Sequence, residues 1–229
     1  MKILFLGTGA ADWPAEKPEG CKEFRRLSSA LIDDVLLIDP GPGVPDALKE
    51  FGRDPAKIRY IINTHPHSDH YCEDTVAALT ALGAELVDFR DEDRRYAVLG
   101  DYTVEAFAAN HATSPGRPVH FIIADGKSRL FYGLDGAWLM YDEVQAIIRQ
   151  KPDYAVLDAT IGDVPGDYRI FEHNNLNMVR EMKLTLAPYV KRFCISHMAM
   201  TLHTDHAALA RTMEKDGIEV AFDGYETRF

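Results

Sequence analysis

Short runs of apolar residues, each ended by turn-forming or polar residues, recur along the whole chain. Runs of about four to eight such residues are typical of buried strands. In the first half, the pattern predicts strands at Ile3–Leu6, Ser29–Ile32, Val35–Ile38, Arg59–Asn63, Tyr96–Leu99, Tyr102–Ala108, His120–Ala124 and Leu130–Gly133. In the second half, it predicts strands at Tyr154–Leu157, Arg192–Ile195 and Glu219–Phe222.

Longer segments between these strands have helical spacing of their apolar residues. The predicted helices are Pro45–Phe51, Asp74–Leu82, Tyr141–Gln150, Leu176–Ala187 and Asp205–Asp216. Gly83 follows the second of these helices and is predicted to end it in a left-handed conformation. Strand-rich halves that are each followed by helices predict an α/β protein, an αββα sandwich of two mixed β-sheets flanked by helices. We find no linker, so residues 1–229 are predicted to form a single domain.

Composition narrows the class of protein further. The chain has 229 residues, a formal net charge of −11 and three cysteines. The negative charge argues against a broad basic face for long nucleic acids. No run approaches the roughly 18 to 20 apolar residues that cross a bilayer, so we expect a cytoplasmic protein without a membrane partner. The cysteines lack CxxC spacing and indicate neither a disulfide framework nor a cysteine zinc site.

The segment Thr64–His70, with the sequence THPHSDH, holds three histidines and one aspartate. His65 and His67 leave the end of a predicted strand in similar directions and can bind one metal ion. Asp69 and His70 follow at a predicted helix start and can bind a second ion. Such ligands suit Zn(II), Mn(II) or Fe(II). The plain alternative is a polar loop whose histidines are neighbours by chance.

Four side chains do not complete two metal sites, and the missing ligands are predicted at other strand ends. His111 in AANHAT, Asp135 in FYGLDGAW and His197 in CISH each follow a predicted strand. Alone, each could be a surface polar residue. A carboxylate can bridge two cations with its two oxygens, which suits Asp135. The predicted groups are His65, His67, His111 and Asp135 for one ion, and Asp69, His70, His197 and Asp135 for the other.

At these residues the sequence resembles the metallo-β-lactamase-fold hydrolase superfamily. Its HxHxDH signature is read here within Thr64–His70, and His111, Asp135 and His197 follow in the superfamily's order. In LLIDPGPG, Asp39 corresponds to the superfamily's buried aspartate behind the metal ligands. The resemblance covers nearly the whole chain. It implies a dinuclear metal-dependent hydrolase with two divalent transition-metal ions per chain, zinc or manganese, with iron and nickel as alternatives.

Further segments are most similar to the phosphodiesterase branch of the superfamily. This branch contains ribonuclease Z and the phosphoribosyl cyclic phosphate phosphodiesterase of phosphonate breakdown. The similar segments are FLGTGAA, GLDGAW, VLDAT, EHNNLNM and GIEVAFDGYE. The similarity implies hydrolysis of a small cyclic or nucleotide-like phosphodiester by a hydroxide that bridges the two metals. It also implies that His173 is the general acid and that Asp69 serves catalysis as well as metal binding.

Two departures from that branch limit the resemblance. The loop GCKEFRRLSS has a single cysteine, Cys21, and Met200 stands three residues after His197. Both halves of the branch's structural zinc site are therefore missing, and we expect no structural zinc. The basic stretch KPEGCKEFRR is too short to serve as an arm that grips transfer RNA. The predicted partner is a small anionic phosphodiester.

Other polar residues are weaker candidates. His203 and His206 in TLHTDH, and Arg117 in SPGRPVH, are candidate substrate contacts. A surface pair at a helix start and a solvent-facing loop arginine are their plain alternatives. Asp158 in VLDAT is predicted, like Asp39, to hydrogen-bond behind the metal ligands.

Two other functions stay open. The same ligands could hydrolyse a thioester or a lactone, as in glyoxalase II and lactonase relatives. A general acid at His173 favours the phosphodiester, because a poor alkoxide leaving group needs a proton. A non-catalytic metal-binding or nucleotide-binding module is the other class, and such modules usually lose ligands that are all present here. A homodimer is compatible with the sequence.

Overall fold

The computed structural model describes residues 1–89, 94–113 and 116–229. In these ranges the strands are β1 (Lys2–Gly7), β2 (Ser29–Ile32), β3 (Leu36–Ile38), β4 (Tyr60–Ile62), β5 (Glu85–Val87), β6 (Tyr96–Leu99), β7 (Tyr102–Ala108), β8 (Val119–Ala124), β9 (Arg129–Gly133), β10 (Tyr154–Asp158), β11 (Arg192–Ser196), β12 (Ile218–Val220) and β13 (Glu226–Arg228). The α-helices are α1 (Val44–Glu50), α2 (Glu73–Ala81), α3 (Tyr141–Gln150), α4 (Leu176–Leu186) and α5 (His206–Glu214). Short 3₁₀ helices lie at Pro55–Lys57 and Tyr168–Phe171. None of the described helices combines the length and apolar character needed to cross a bilayer.

The strands form two mixed sheets. The six-stranded sheet has the order β13-β1-β2-β3-β4-β5, in which β3, β4 and β5 are parallel. The seven-stranded sheet has the order β12-β11-β10-β9-β8-β7-β6, in which β9 to β12 are parallel. The other neighbouring strands pair antiparallel.

Alternate residues of the central strands face opposite layers. In β1, Ile3 and Phe5 belong to the core between the sheets, whereas Leu4 and Leu6 pack toward α1 and α2 on the outside. The outer face of the seven-stranded sheet is covered by α3, α4 and α5. Both faces of each sheet are therefore buried, which explains why the strands read as nearly continuous apolar runs. The predicted αββα sandwich is confirmed.

One edge of the sandwich collects the carboxyl ends of strands from both sheets. β9, β10 and β11 end there, and β7 runs the same way because the antiparallel β8 lies between β7 and β9. Backbone hydrogen bonds join the sheets at this edge. The Met198 N–H donates to the Thr8 carbonyl at 3.0 Å, and the Val119 N–H donates to the Thr64 carbonyl at 2.9 Å. The loops that follow these strands consequently meet.

The predicted helices and strands occur with bounds that agree within two residues. Gly83 has a φ of +99°, as predicted for a residue just beyond a helix. The strands β5 and β13 escaped sequence analysis. Each has three residues, lies at an edge of its sheet and carries exposed charged side chains. Pairing with β4 and β1, rather than an apolar pattern, makes them strands.

A buried ion pair joins β8 to α3. His120 Nδ1 lies 2.6 Å from Glu143 Oε1, and the two residues are at most 1% exposed. Burial opposes protonation of His120, but the Glu143 carboxylate outweighs this effect and raises the pKa of His120. The other carboxylate oxygen of Glu143 accepts the Met140 N–H at the start of α3. The pair therefore ties the helix to the sheet.

Glu143→Gln should destabilise the protein in a pH-dependent way. Because the folded-state pKa of His120 is raised, its stabilising contribution is complete below the unfolded value and is lost as the pH rises through the folded value. The free energy of unfolding should fall by about 3–5 kcal/mol at pH 6 and by less at pH 9. Urea titrations at both pH values measure this, with the exposed Glu214→Gln as control. Equal losses at the two pH values would contradict the assignment.

Candidate metal centre

Turns at strand ends position three of the predicted site residues: the ligand candidates Asp135 and His197, and Asp39 behind the ligands. Asp39, Asp135 and His197 follow β3, β9 and β11, and their φ angles are 60°, 58° and 63°. This left-handed conformation is uncommon for residues other than glycine and costs on the order of 1–3 kcal/mol per residue. It persists only where surrounding contacts impose it, and it concentrates at functional sites. At these three positions it turns the chain directly after the strand.

The first ligand group consists of three histidines and one aspartate. Nε2 of His65 lies 3.0 Å from Nδ1 of His67, which lies 3.3 Å from Nε2 of His111. Oδ2 of Asp135 lies 3.0 Å from His65 Nε2 and 3.9 Å from His111 Nε2. Burial lowers the pKa of His111 to about 4. Its imidazole is therefore neutral near pH 7, the form that binds metal.

The second ligand group meets the first at Asp135. Nε2 of His70 lies 3.1 Å from Nε2 of His197, and these atoms lie 3.4 Å and 3.7 Å from Asp69 Oδ2. Oδ1 of Asp135 lies 2.9 Å from His197 Nε2, and its Oδ2 lies 3.1 Å from His70 Nε2. The Asp135 carboxylate therefore faces both groups.

The Asp135 carboxylate is almost fully buried, with 2% exposure. Burial opposes its ionisation, but the imidazoles of His197 and His70 outweigh burial and hold the pKa of Asp135 well below its usual range. Although Oδ1 lies near His197 Nε2, their geometry is not that of a hydrogen bond, and Oδ1 has no hydrogen-bond partner among the described residues. A buried anionic oxygen without a hydrogen-bond donor is typical of a cation ligand.

Hydrogen bonds behind the ligands orient the imidazoles. Asp39 Oδ2 lies 2.8 Å from His70 Nδ1, and Thr160 Oγ1 lies 2.7 Å from His197 Nδ1. Asp39 Oδ1 also accepts the Thr64 N–H and hydroxyl. Contacts of this kind fix the ring orientation and leave the other ring nitrogen, Nε2, facing the ligand group. The structure thus places Asp39 where the sequence predicts it.

His173 and Asp158 form a pair beside the second group. His173 Nδ1 lies 3.2 Å from Asp158 Oδ2 and 3.6 Å from Asp135 Oδ1. Asp158 also faces His197 Nδ1 at 3.4 Å and accepts the Thr160 hydroxyl at 2.8 Å. Burial opposes protonation of His173, but the Asp158 carboxylate outweighs burial and raises the pKa of His173.

The donor set fits two divalent cations. In each group the ligand atoms all lie within 4.8 Å of one another. Tetrahedral coordination at about 2.0–2.2 Å puts neighbouring ligand atoms roughly 3.3–3.6 Å apart, close to the contacts seen in both groups. Imidazole and carboxylate donors suit zinc and manganese. Ring nitrogens only 3.0 to 3.1 Å apart, as between His65 and His67 or His70 and His197, are also what a shared cation would hold together.

The ligand groups open into one cavity of about 260 Å³, here called the site cavity. Its described lining comprises Ala10, Ala11, Asp12, His67, Asp69, His111, Asp135, Thr160, Arg169, Glu172, His173, His197 and Ala199. Loops from both sheets contribute to this lining. The cavity therefore lies at the edge where the strand ends converge.

Comparisons with known proteins show similarity in one sequence segment and in the fold. A sequence profile of the Metallo-beta-lactamase superfamily matches residues 28–73, which include the THPHSDH segment. A diphosphatase from the PhnP family superimposes with a TM-score of 0.73 at 18% identity, over 100% of this chain and 97% of that one. Zinc-bound PqqB from Methylobacterium extorquens superimposes with a TM-score of 0.72 at 15% identity, over 100% of both chains.

The protein has the metallo-β-lactamase fold. Its predicted resemblance to that superfamily is confirmed. Among curated sequences, Ribonuclease Z of Pyrococcus abyssi (strain GE5 / Orsay) is 32% identical over 71 residues, which are 31% of this chain. The match spans 22% of that relative's length.

Three predicted substrate contacts lie away from the metallo-β-lactamase-fold ligand groups. His203 Nε2 donates to the Ala159 carbonyl at 2.6 Å. His206 Nδ1 accepts from Arg25 at 3.0 Å and lines a different cavity of about 510 Å³. Arg117 donates to the Arg94 carbonyl at 3.1 Å. None of the three is among the described residues that line the site cavity.

Sequence analysis also missed residues that shape this metallo-β-lactamase-fold site. Thr160 contacts His173 and His197 through its hydroxyl, and its place two residues after Asp158 in VLDAT was a usable signal. Asn174 donates to the Gly136 carbonyl and accepts the Trp138 N–H, which anchors the turn after Asp135. Arg169 lines the site cavity from a segment without a recognisable pattern, and Glu172, which also lines it, is the first residue of the segment EHNNLNM.

The Asp135→Ala variant should lose more bound metal than a variant that lacks one histidine of either ligand group. If Asp135 serves both ions, elemental analysis after equilibration with zinc or manganese should find about two ions in the wild type. His111→Ala and His197→Ala should each keep about one ion, and Asp135→Ala should keep less than one. His206→Ala, which alters the other cavity, is the control. Two retained ions in Asp135→Ala would refute the bridging role.

Proposed function

We propose that the protein is a metal-dependent phosphodiesterase that hydrolyses a small anionic phosphodiester. One observation carries the proposal: two ligand groups share Asp135 and open, together with His173, into one cavity. Two divalent cations bound at such a site lower the pKa of a water molecule and neutralise the charge that develops on a phosphoryl group. The names of two relatives, a ribonuclease and a diphosphatase, support phosphate chemistry.

The residues of the two groups would bind the cations. His65, His67 and His111 would bind one ion, and Asp69, His70 and His197 the other. Asp135 would serve both through its two oxygens, which already face the two groups. Zinc and manganese fit these donors, and iron and nickel are alternatives. Asp69 also lines the cavity, and its carboxylate would orient a nucleophilic water molecule there.

His173 supplies the proton to the leaving oxygen. Its Nδ1 faces Asp158, so Nε2 is the ring nitrogen left for the substrate. Against the effect of burial, the Asp158 carboxylate raises the pKa of His173, which favours the protonated imidazole that a general acid requires. A positioned acid typically contributes roughly 10² to 10⁴ in rate.

The volume of the cavity limits the substrate. The volume of about 260 Å³ lies just below that of most ligand sites, which usually enclose about 300–1,000 Å³. A small cyclic or nucleotide-like phosphodiester therefore fits the chemistry and the space better than a long nucleic acid. Hydrolysis of a thioester would not need the His173–Asp158 pair, because a thiolate leaves without a proton. A lactone releases an alkoxide, so the assay with a lactone, rather than His173, separates that alternative from the phosphodiester.

His173→Ala should separate leaving-group chemistry from metal binding. The variant should keep both ions but lose at least about 10²-fold more kcat/KM on thymidylyl-thymidine than on thymidine 5′-(p-nitrophenyl phosphate). The first substrate releases a basic alkoxide, whereas p-nitrophenolate leaves without a proton. Steady-state kinetics with the two esters provide the measurement.

Two controls sharpen this comparison. His206→Ala removes an imidazole outside the site cavity and should leave both rates unchanged. S-lactoylglutathione and an acyl-homoserine lactone test the thioester and lactone alternative with the wild type. Equal losses on the two phosphodiesters would remove His173 from proton transfer. Turnover of the thioester or the lactone alone would overturn the phosphodiesterase assignment.

A further inference from the structure

The lining of the site cavity has an uneven distribution of charge. It contains the carboxylates of Asp12, Asp69, Asp135 and Glu172. Arg169 is the only lysine or arginine among the described residues that line it. The protein as a whole carries a formal net charge of −11. The guanidinium of Arg169 can therefore attract a negatively charged part of a substrate, at a place separate from the metal ligands.

Arg169 is held in place on one side. It lies in the 3₁₀ helix Tyr168–Phe171, which begins after Asp167. Arg169 Nε donates to Asp167 Oδ1 at 2.9 Å, and its Nη2 donates to Asp167 Oδ2 at 2.6 Å. The Asp167 carboxylate also accepts the Arg169 backbone N–H at 2.9 Å. This two-point contact fixes the plane of the guanidinium.

The guanidinium retains free donor capacity. A guanidinium has five N–H donors, of which Asp167 takes two. Asp167 is its only hydrogen-bond acceptor within the part of the chain that the structure describes. Asp12, another carboxylate of the cavity lining, has partners of its own: it accepts the backbone N–H groups of Met200 and Thr201 and the Thr201 hydroxyl. Three N–H donors of Arg169 are left for a ligand.

We propose that Arg169 binds a second anionic group of the substrate, a phosphate or a carboxylate separate from the phosphodiester that is cleaved. This proposal rests on the proposed phosphodiesterase function and narrows it to phosphodiesters that carry a second negative group. The phosphodiester meets the two ligand groups and His173, while the second anion meets the free edge of the Arg169 guanidinium. Arg169 thus determines specificity.

Matched esters on the metal-loaded protein test the proposal. The substrates are propyl, 2-carboxyethyl and 2-phosphonoethyl p-nitrophenyl phosphate, which share the scissile bond and differ in the second group. Arg169→Gln should lose about 10- to 100-fold in kcat/KM on the two charged esters and less than about threefold on the propyl ester. Arg169→Lys should recover part of the loss. The ester with the larger loss identifies a phosphate or a carboxylate as the preferred group.

Arg180→Gln is the matched control. Arg180 lies on α4, pairs with Asp163 and Asp216 and is not in the described lining of the cavity. This variant makes the same change in net charge, so its kinetics should match the wild type on all three esters. Metal content and circular dichroism should be unchanged in every variant. If Arg180→Gln lost as much kcat/KM on the charged esters as Arg169→Gln, the loss would be a general effect of net charge, and the Arg169 subsite would be refuted.

A binding measurement keeps the test independent of turnover. Calorimetric titration with 3-phosphonopropionate should show weaker binding to Arg169→Gln than to the wild type, by about 10-fold or more, whereas propylphosphonate should bind both alike. Equal losses on all three esters, or equal affinity of both proteins for 3-phosphonopropionate, would overturn the Arg169 subsite and leave the phosphodiesterase proposal standing. No hydrolysis of any ester by the wild type would contradict the phosphodiesterase proposal, and the titration would still decide the role of Arg169.

Discussion

A buried carboxylate between two groups of imidazoles sets the main constraint on this structure. Asp135 is only 2% exposed, and its carboxylate lies between His65 on one side and His197 on the other. An ionised carboxylate in such a place is costly unless positive charge compensates it. The imidazoles can supply that charge as protonated rings, or they can be neutral ligands of cations that supply it instead. The short separations among their ring nitrogens favour the second arrangement.

The fold places the imidazoles around the Asp135 carboxylate because it brings loops of both sheets to one edge. The first sheet contributes the THPHSDH segment after β4, and the second contributes His111, Asp135 and His197 after β7, β9 and β11. Hydrogen bonds across the edge, such as that from the Met198 N–H to the Thr8 carbonyl, hold the sheets in register there. Each side chain behind the ligands, Asp39 and Thr160 among them, is anchored to a strand end. The close approach of the ligand candidates is thus a consequence of sheet packing.

The sequence was most informative where ligand density was high or strands were buried. THPHSDH predicted four ligands because so many imidazoles rarely occur by chance, and the remaining ligands followed because strands that end at one edge bring their loops together. Their roles as metal ligands stay predictions. Arg169 was not predicted, because a single arginine in a 3₁₀ helix has no periodicity, and only the three-dimensional lining shows which cavity it faces. His206 lines a different cavity from the predicted one. Its short separation from His197 in sequence does not fix the direction of a side chain at the start of a new helix.

The most direct test of two cations bridged by Asp135 is anomalous diffraction from crystals grown with zinc. Two anomalous peaks should occur per chain, one beside His65, His67 and His111 and the other beside Asp69, His70 and His197. Each peak should lie within about 2.0–2.3 Å of a different oxygen of Asp135. A single peak, or two peaks that do not share Asp135, would contradict the account.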